Sequence, residues 1–217
     1  MRWINALAAL SVVALPLSAQ EKDPDKKVAG GGTLPVGWSA RLDKADASLA
    51  NVKFAAMGSG WHVTTGPAVV LWKEADNTTG GFHAVASFTQ TKAPAHPEAY
   101  GMFIAGKNMK NDSTVTYTYF IIRGDGKYLV KKMTGKTAAN LTQGWTESAA
   151  VVKQDSAGKQ TNKIEVSAGQ DGKVSWKVNG QEVYSATMTP AELNGVVGLR
   201  VNHNLDVHVD GFGVHKL

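Results

Sequence analysis

The sequence predicts an all-β fold in which two antiparallel sheets pack face to face, and three observations lead to this prediction. From Thr33 onward, apolar residues recur with a period of two rather than 3.6, and β-branched and aromatic residues fill the apolar positions. Turn-forming pairs such as Asn179-Gly180 separate these runs. About a dozen short strands without intervening helices imply two packed sheets, because a single open sheet would leave an apolar face in water.

The first nineteen residues have the parts of a signal peptide. A single cation, Arg2, precedes an apolar run over residues 4–15, and Pro16 and the short segment Leu17-Ser18-Ala19 follow it. A membrane anchor is the alternative, but crossing a bilayer needs about 20 apolar residues and this run is shorter. We therefore predict cleavage near Ala19, no membrane span afterwards, and a secreted or periplasmic protein.

The composition of residues 20–32 predicts a flexible tether, and the strand pattern of residues 33–217 predicts a single domain. The tether is charged at first and glycine-rich at its end, with too little apolar surface to offset the entropy of ordering. After it, alternating strands continue to the C-terminus, and the sole helical pattern is Pro190-Ala191-Glu192-Leu193.

Composition excludes several classes of function and site. The formal net charge is +5, but lysines and carboxylates are interspersed, which is typical of a solvated surface and argues against a nucleic-acid partner. The chain has no cysteine, so it has neither disulfides nor thiolate metal ligands. Stability must come from a hydrophobic core, which a chain of this length can build.

Alternation places the apolar side chains of several strands on one face. The clearest sets are Phe82, Ala84, Ala86 and Phe88; Ile164 and Val166; and Val174, Trp176 and Val178. Between such runs lie turn sequences, namely Gly124-Asp125-Gly126, Asp171-Gly172 and Asn179-Gly180. The result is a series of antiparallel hairpins.

The C-terminal half resembles a known family of domains. The segments that carry the resemblance are Trp145 and residues 162–166 (NKIEV), 176–183 (WKVNGQEV), 195–201 (GVVGLRV) and 212–214 (FGV). This series is similar to the end of concanavalin A-like jelly rolls, including laminin G-like modules and bacterial 3-keto-disaccharide hydrolase domains. The resemblance implies a two-sheet antiparallel jelly-roll sandwich. It is architectural and does not indicate a reaction, since a fold does not fix a function.

A hydrolase is the first alternative to a binding protein, and the sequence tests it. Glucanases that the chain resembles carry two Glu in an E-x-D-x-x-E pattern, because retaining hydrolysis needs two carboxyls about 5–5.5 Å apart. No such spacing occurs here, and Glu165 alternates with apolar residues as on the solvent side of a strand. The usual "NSG" strand start of the keto-disaccharide hydrolases is Ala99-Tyr100-Gly101 here. No catalytic residue is predicted.

A polar strand near the C-terminus offers candidate ligand-binding residues. Asp206, His208 and Asp210 share one face at intervals of about 6.5–7 Å, which spreads them apart, whereas the ligands of a metal ion converge on one point. A metal site is therefore the least favoured of three interpretations, and no metal or other cofactor is predicted. The other two are an exposed polar face and the lining of a ligand groove. For the groove, the candidate residues are Asn202, His203, Asp206 and His208.

A hairpin over residues 114–128 offers a second set of candidates. Sugar binding uses aromatic faces together with planar polar groups. The hairpin residues that supply them are Tyr117, Tyr119, Arg123 and Tyr128. Val115 and Ile121 share a face with the first three, so the alternative is that these tyrosines pack inward.

These observations together predict a binding protein without catalytic activity. We expect an exported module whose partner is a carbohydrate, either a polysaccharide or a cell-envelope glycan. A hydrolase acting on modified sugars is the second interpretation, and a structural or adhesive envelope protein is the third.

Overall fold

The structure is a computed structural model that describes residues 23–217. The predicted signal peptide, residues 1–19, therefore lies outside the described residues. In chain order the strands are β1 (Trp38–Leu42), β2 (Val52–Met57), β3 (Gly60–Thr65), β4 (Val69–Thr78), β5 (Phe82–Gln90), β6 (Ala99–Lys107), β7 (Thr116–Arg123), β8 (Lys127–Thr134), β9 (Thr137–Asn140), β10 (Thr146–Glu147), β11 (Gln160–Ala168), β12 (Lys173–Val178), β13 (Gln181–Thr187), β14 (Gly195–Val201) and β15 (Asp206–Lys216). One 3-10 turn, Leu49–Asn51, and one helical turn, α1 (Pro190–Leu193), complete the described elements.

The strands form two antiparallel sheets, which confirms the predicted fold class. The eight-stranded sheet has the order β1-β4-β14-β6-β7-β8-β10, with β9 paired to β8. The seven-stranded sheet has the order β13-β12-β11-β5-β15-β3-β2. Neighbours in each sheet come from distant parts of the chain, as β4 and β14 show, so the sheets bring together loops that are far apart in sequence.

The space between the sheets holds the main hydrophobic core. Phe120 of β7 stacks on Trp176 of β12 with ring centroids 5.4 Å apart, and Phe88 of β5 stacks on Tyr100 of β6 at 5.2 Å. Each pair joins one sheet to the other. Trp38, at the start of β1, is buried beside Phe54.

The local predictions from turn and strand chemistry are confirmed. Asn179 and Gly180 adopt φ angles of 51° and 83°, the left-handed values that a type I′ hairpin requires. In β5 the side chains from Phe82 to Phe88 alternate between buried and half-buried. The helical turn α1 begins with a capping box, in which the Thr189 side chain accepts from the Glu192 backbone and the Glu192 carboxylate accepts in return.

The outer face of the eight-stranded sheet is also apolar and is covered by the chain itself. Its buried side chains form a second cluster: Val70, Trp72, Ala99, Phe103, Met109, Val115, Tyr117, Tyr119, Ile121, Leu129 and Val196. Met109 belongs to the loop of residues 108–115 between β6 and β7. Arg41 of β1 holds this loop, because it donates to the Met109 carbonyl at 3.1 Å and pairs with Asp112 at 2.9 Å. In the middle of this sheet, at β6, β7 and β14, both faces are therefore buried, although period-two patterning predicts that one face is exposed to water.

The N-terminal segment of residues 23–32 lies against the domain, although its composition predicts a free tether. The Asn204 amide accepts from the Lys26 backbone at 2.8 Å and donates to Asp23 and to the Pro24 carbonyl, both at 3.0 Å. Asn204 has a φ of 57° and is buried. Hydrogen bonds to the buried Asn204 side chain thus hold the segment in place, although its few apolar residues alone would not.

Two further observations concern membrane-spanning helices and metal-binding groups in residues 23–217. No helix among them is long and apolar enough to cross a membrane. Within the same residues, no group of three or more His, Cys, Asp or Glu side chains is arranged to hold a metal ion.

Candidate functional site

The candidate site is a cleft of ≈ 640 Å³ at one end of the eight-stranded sheet, which we call the end cleft. Four neighbouring strands, β1, β4, β14 and β6, begin or end there. The lining residues come from these strand ends and from the N-terminal segment: Asp23, Asp25, Asp43, Lys44, Pro67, Ala68, His96, Glu98, Arg200, Asn202 and His203. The order of the strands and the docked N-terminal segment together bring Asp23 and His203, at opposite ends of the chain, into one cleft.

Glu98 is the centre of one half of the cleft. Its carboxylate accepts from the Asn202 amide at 3.2 Å and lies 2.7 Å from Nε2 of His203. The other ring nitrogen of His203 lies 3.2 Å from Asp25, which also pairs with Lys44 at 3.0 Å. The imidazole is thus placed between two carboxylates, one from the start of β6 and one from the N-terminal segment.

Arg200 is the centre of the other half. Its guanidinium donates two hydrogen bonds to Asp43, one to each carboxylate oxygen, and the one to Oδ1 measures 3.0 Å. Burial by itself would raise the pKa of Asp43, but the charge and the hydrogen bonds of Arg200 outweigh it and hold that pKa below its ordinary value. The carboxylate is ionised at neutral pH, and the pair stays charged.

Two tyrosines lie directly beneath Arg200. The Tyr117 hydroxyl is 3.3 Å from the guanidinium, and the ring of Tyr119 lies under it at 4.6 Å. Burial raises the pKa of Tyr117 to about 12, although Arg200 opposes the shift. Both hydroxyls therefore stay protonated, and the rings serve as a fixed floor for the guanidinium.

Four buried polar atoms of the end cleft have no hydrogen-bond partner within the described part of the chain. They are Nε of Arg200, Oδ1 of Asn202, Nδ1 of His203 and Oδ1 of Asp25. The last two are close, but their geometry is not that of a hydrogen bond. Buried polar groups in folded proteins are almost always satisfied by protein, water or ligand, so water or a polar ligand in the cleft can complete these hydrogen bonds.

Of the eight residues that the sequence proposes for a ligand, two line the end cleft. Asn202 and His203 follow β14 directly and contribute both an amide and an imidazole. The Asn202 backbone is anchored by a hydrogen bond to the Ala99 carbonyl at 2.9 Å, which fixes where the two side chains begin.

Tyr117 and Tyr119 do not form an exposed platform. They are 2% and 4% exposed, and residues of the second apolar cluster surround them. Of the two orientations that the sequence leaves open, the structure has the one in which the rings are packed. Neither ring lines the end cleft, and both contact Arg200, which does.

Arg123 and Tyr128, the other two hairpin candidates, point to different places. Arg123 lies over the ring of Trp145 at 4.3 Å and is fixed by Asp125 through two hydrogen bonds of 2.7 Å. Tyr128 points between the sheets, where its hydroxyl donates to the Val183 carbonyl at 2.7 Å. The hairpin therefore does not gather the four residues into one site, because register puts Tyr128 opposite Ile122 rather than opposite a tyrosine.

Asp206 and His208 lie on the outer face of the seven-stranded sheet and do not line the end cleft. Asp206 accepts from Thr91 at 2.8 Å, pairs with Lys92 at 3.0 Å and contacts His62. His208 lies beside the same His62 ring at 6.3 Å. These contacts agree with the interpretation of a polar outer face opposite buried valines.

The residues that sequence reasoning missed are the charged ones at the strand ends. Asp25, Asp43 and Glu98 stand in segments without a motif, and Arg200 was part of a strand motif that indicates only architecture. Glu165, by contrast, lies where alternation predicts, paired with Lys163 at 3.0 Å on an outer strand face.

A second groove of ≈ 590 Å³ lies at the opposite end of the same sheet. Four asparagines line it, among them the exposed Asn77, together with Lys107 and Lys110. None of the buried unpartnered atoms of residues 23–217 belongs to this groove. The end cleft is therefore the stronger candidate.

Comparison with solved structures decides the fold. The carbohydrate-binding module CBM66 from Bacillus subtilis superposes with a TM-score of 0.60 at 10% identity, covering 88% of this chain and 99% of that one. A protein of unknown function with a galectin-like fold, also from Bacillus subtilis, gives 0.60 at 13% identity over 82% and 88%. The β-glucanase of Bacillus licheniformis gives 0.53 at 10% identity over 85% and 94%.

The chain has the concanavalin A-like jelly-roll fold. The similar structures share this two-sheet sandwich, which confirms the resemblance seen in the sequence. No family model matches the chain, and no curated protein matches it. At such low identities the similarity establishes the jelly roll and leaves the ligand to be argued from the end cleft.

Proposed function

We propose that this protein is an exported glycan-binding module that holds a sugar in the end cleft and does not hydrolyse it. The observation that carries the proposal is the set of buried, unpartnered polar atoms on Arg200, Asn202, His203 and Asp25. A sugar hydroxyl both donates and accepts hydrogen bonds, so one ligand can satisfy donors and acceptors that lie side by side.

Three further observations support the proposal. The cleft is lined by planar polar groups and by the small apolar surfaces of Pro67 and Ala68, a combination that suits a sugar ring. The jelly roll is also the fold of a carbohydrate-binding module. Residues 1–19 have the parts of a signal peptide, and the E-x-D-x-x-E spacing of the related glucanases is absent from the sequence.

The experiment begins with the exported protein. The chain is expressed in full, and intact mass is measured on the form recovered from the medium or periplasm, which we expect to begin near Gln20. That form is applied to a glycan array, and binding is confirmed by affinity electrophoresis. Asn202→Ala should weaken binding by about 1–3 kcal/mol, because it removes both a ligand contact and the amide that holds Glu98.

Asn77→Ala is the matched control, since it removes the same amide from an exposed position in the second groove. It should leave affinity and the thermal midpoint unchanged. If Asn77→Ala weakens binding and Asn202→Ala does not, the site is the second groove. Release of reducing sugar or keto-sugar from a bound glycan would show that the protein is a hydrolase and would contradict the proposed binding function.

A further inference from the structure

The end cleft carries more negative than positive charge. Four of its lining residues are carboxylates, Asp23, Asp25, Asp43 and Glu98, and two are permanent cations, Lys44 and Arg200. Both cations are already paired, Arg200 with Asp43 and Lys44 with Asp25 at 3.0 Å. His96 and His203 are the remaining titratable groups of the lining, and His203 lies between Glu98 and Asp25. No cation of the cleft is left over for an anionic ligand.

The unpartnered acceptor atoms are of a kind that a carboxylate or sulfate group cannot serve. Oδ1 of Asn202 is an acceptor without a donor among the described residues, and Oδ1 of Asp25 has only Nδ1 of His203 near it, at 3.2 Å and without hydrogen-bond geometry, so both can accept from a donor on the ligand. A hydroxyl supplies that donor, whereas a carboxylate or a sulfate has only acceptor oxygens at neutral pH. Nε of Arg200 needs an acceptor, which a hydroxyl oxygen also provides. The Arg200 side chain is 6% exposed, so bulk water does not readily supply the hydrogen bond that its Nε lacks.

From these two observations we infer that the end cleft selects glycans that carry no carboxylate or sulfate, and that Asp25 is a specificity-determining residue. The inference rests on the proposed function and deepens it by naming the class of sugar. Asp25 is well suited to this role because its side chain is 22% exposed and faces His203, so its charge lies directly against the space that a sugar would occupy. A second negative charge placed there would be repelled, with little water to screen it.

The test compares sugars that differ only in charge. Tetramers of β-1,4-linked glucose, mannose and galactose are each titrated beside the same tetramer oxidised at C6 to the uronate. Isothermal calorimetry on the mature protein gives the affinity ratio for each pair. We expect every neutral tetramer that binds to bind at least about tenfold more tightly than its oxidised counterpart, and we expect that ratio to shrink as salt is added, because salt screens the repulsion.

Two variants separate the local charge from the overall charge. Asp25→Asn removes one negative charge inside the cleft and releases Lys44 from its pair, so the ratio should fall to about threefold or less. Asp171→Asn makes the same change in net charge in the exposed turn between β11 and β12, where the carboxylate is 58% exposed, and the ratio should not change. Thermal midpoints of both variants are measured to confirm that they are folded.

The outcomes distinguish this inference from the proposed function. Equal or tighter binding of the uronates, or an unchanged ratio in Asp25→Asn, overturns the charge selection and leaves a glycan-binding module standing. If neither member of any pair binds, the proposed function fails and this inference fails with it.

Discussion

Arg200 is the residue on which the end cleft depends most. It connects a floor of two packed tyrosines to a carboxylate at the rim, and its planar fork allows it to do both at once. A lysine at this position would keep the charge, but it would lose the two-point contact with Asp43 and the flat contact with the Tyr119 ring. Tyr117 and Tyr119, which the sequence proposes as sugar ligands, therefore contact Arg200 and do not line the cleft.

Removing the partner of Arg200 should destabilise the protein measurably. Asp43→Asn keeps the shape of the side chain but leaves a guanidinium that is 6% exposed without a counter-charge. We expect the free energy of unfolding in urea to fall by about 1–3 kcal/mol. Asp112→Asn is the control, because Asp112 is 58% exposed where it pairs with Arg41, and its loss should change stability by less than about 0.5 kcal/mol. Equal losses of stability in the two variants would mean that the pair of Arg200 and Asp43 stabilises the protein no more than an exposed surface pair.

The same pair gives a pH dependence whose sign follows from Asp43. Its pKa is lower in the folded protein than in the unfolded chain, where it is about 3.9, so the stabilisation is fully present above that value and is lost as pH falls through the folded pKa. The difference in stability between wild type and Asp43→Asn should therefore be constant near pH 7 and shrink below about pH 4. A difference that grows on acidification would contradict this assignment.

At the level of strands and hairpins, the alternation of apolar and polar residues predicts which side chains are buried when one face of the strand contacts water. It fails when both faces of the strand are buried. In β5 and β11 the pattern of buried and half-buried residues follows the sequence. In β6 and β7 nearly every residue is buried, because their outer face also packs in an apolar cluster, to which Met109 and Val115 of the loop of residues 108–115 belong. No local pattern could tell that Tyr117 and Tyr119 lie in that cluster, since the residues that cover them belong to other elements.

Strand β12 offers a direct test of the inner face. Trp176 is 1% exposed and stacks on Phe120 across the two sheets with an interplanar angle of 12°. Trp176→Ala should lower the free energy of unfolding by about 3–5 kcal/mol, because it removes the contact and leaves a cavity between the sheets. The neighbouring Lys177→Ala, on the opposite face of the strand, should change it by less than about 0.5 kcal/mol. A change in Trp176→Ala as small as in the control would mean that the ring is not part of the core.

For the whole molecule, the jelly roll is predictable from the sequence and the end cleft is not. Turns and periodicity are local, and they suffice for hairpins and for two sheets. The cleft depends on which strands become neighbours, because Asp43, Glu98 and Arg200 meet only through the order β1-β4-β14-β6. Of the residues that line the cleft, the sequence predicts only Asn202 and His203, because they form a polar segment directly after an apolar strand.

The N-terminal segment decides where the domain begins, and a deletion can test it. Composition describes residues 20–32 as a tether, whereas the structure holds residues 23–26 through the amide of Asn204. If the segment is part of the domain, deleting residues 20–27 from the mature chain should lower the free energy of unfolding by about 1–2 kcal/mol, as expected when a buried amide loses its hydrogen bonds. A free tether predicts no change.

Asn204→Gly provides the second arm of a double-mutant cycle in urea unfolding. Glycine accepts the φ of 57° at this position without strain and removes only the side-chain bonds to the segment. The variant should lose about as much stability as the deletion, and combining the two should cost little more than either alone, because both remove the same contacts. Additive losses would mean that Asn204 stabilises the turn independently of the segment. Asp23 and Asp25 would then line the end cleft without being held there by this amide.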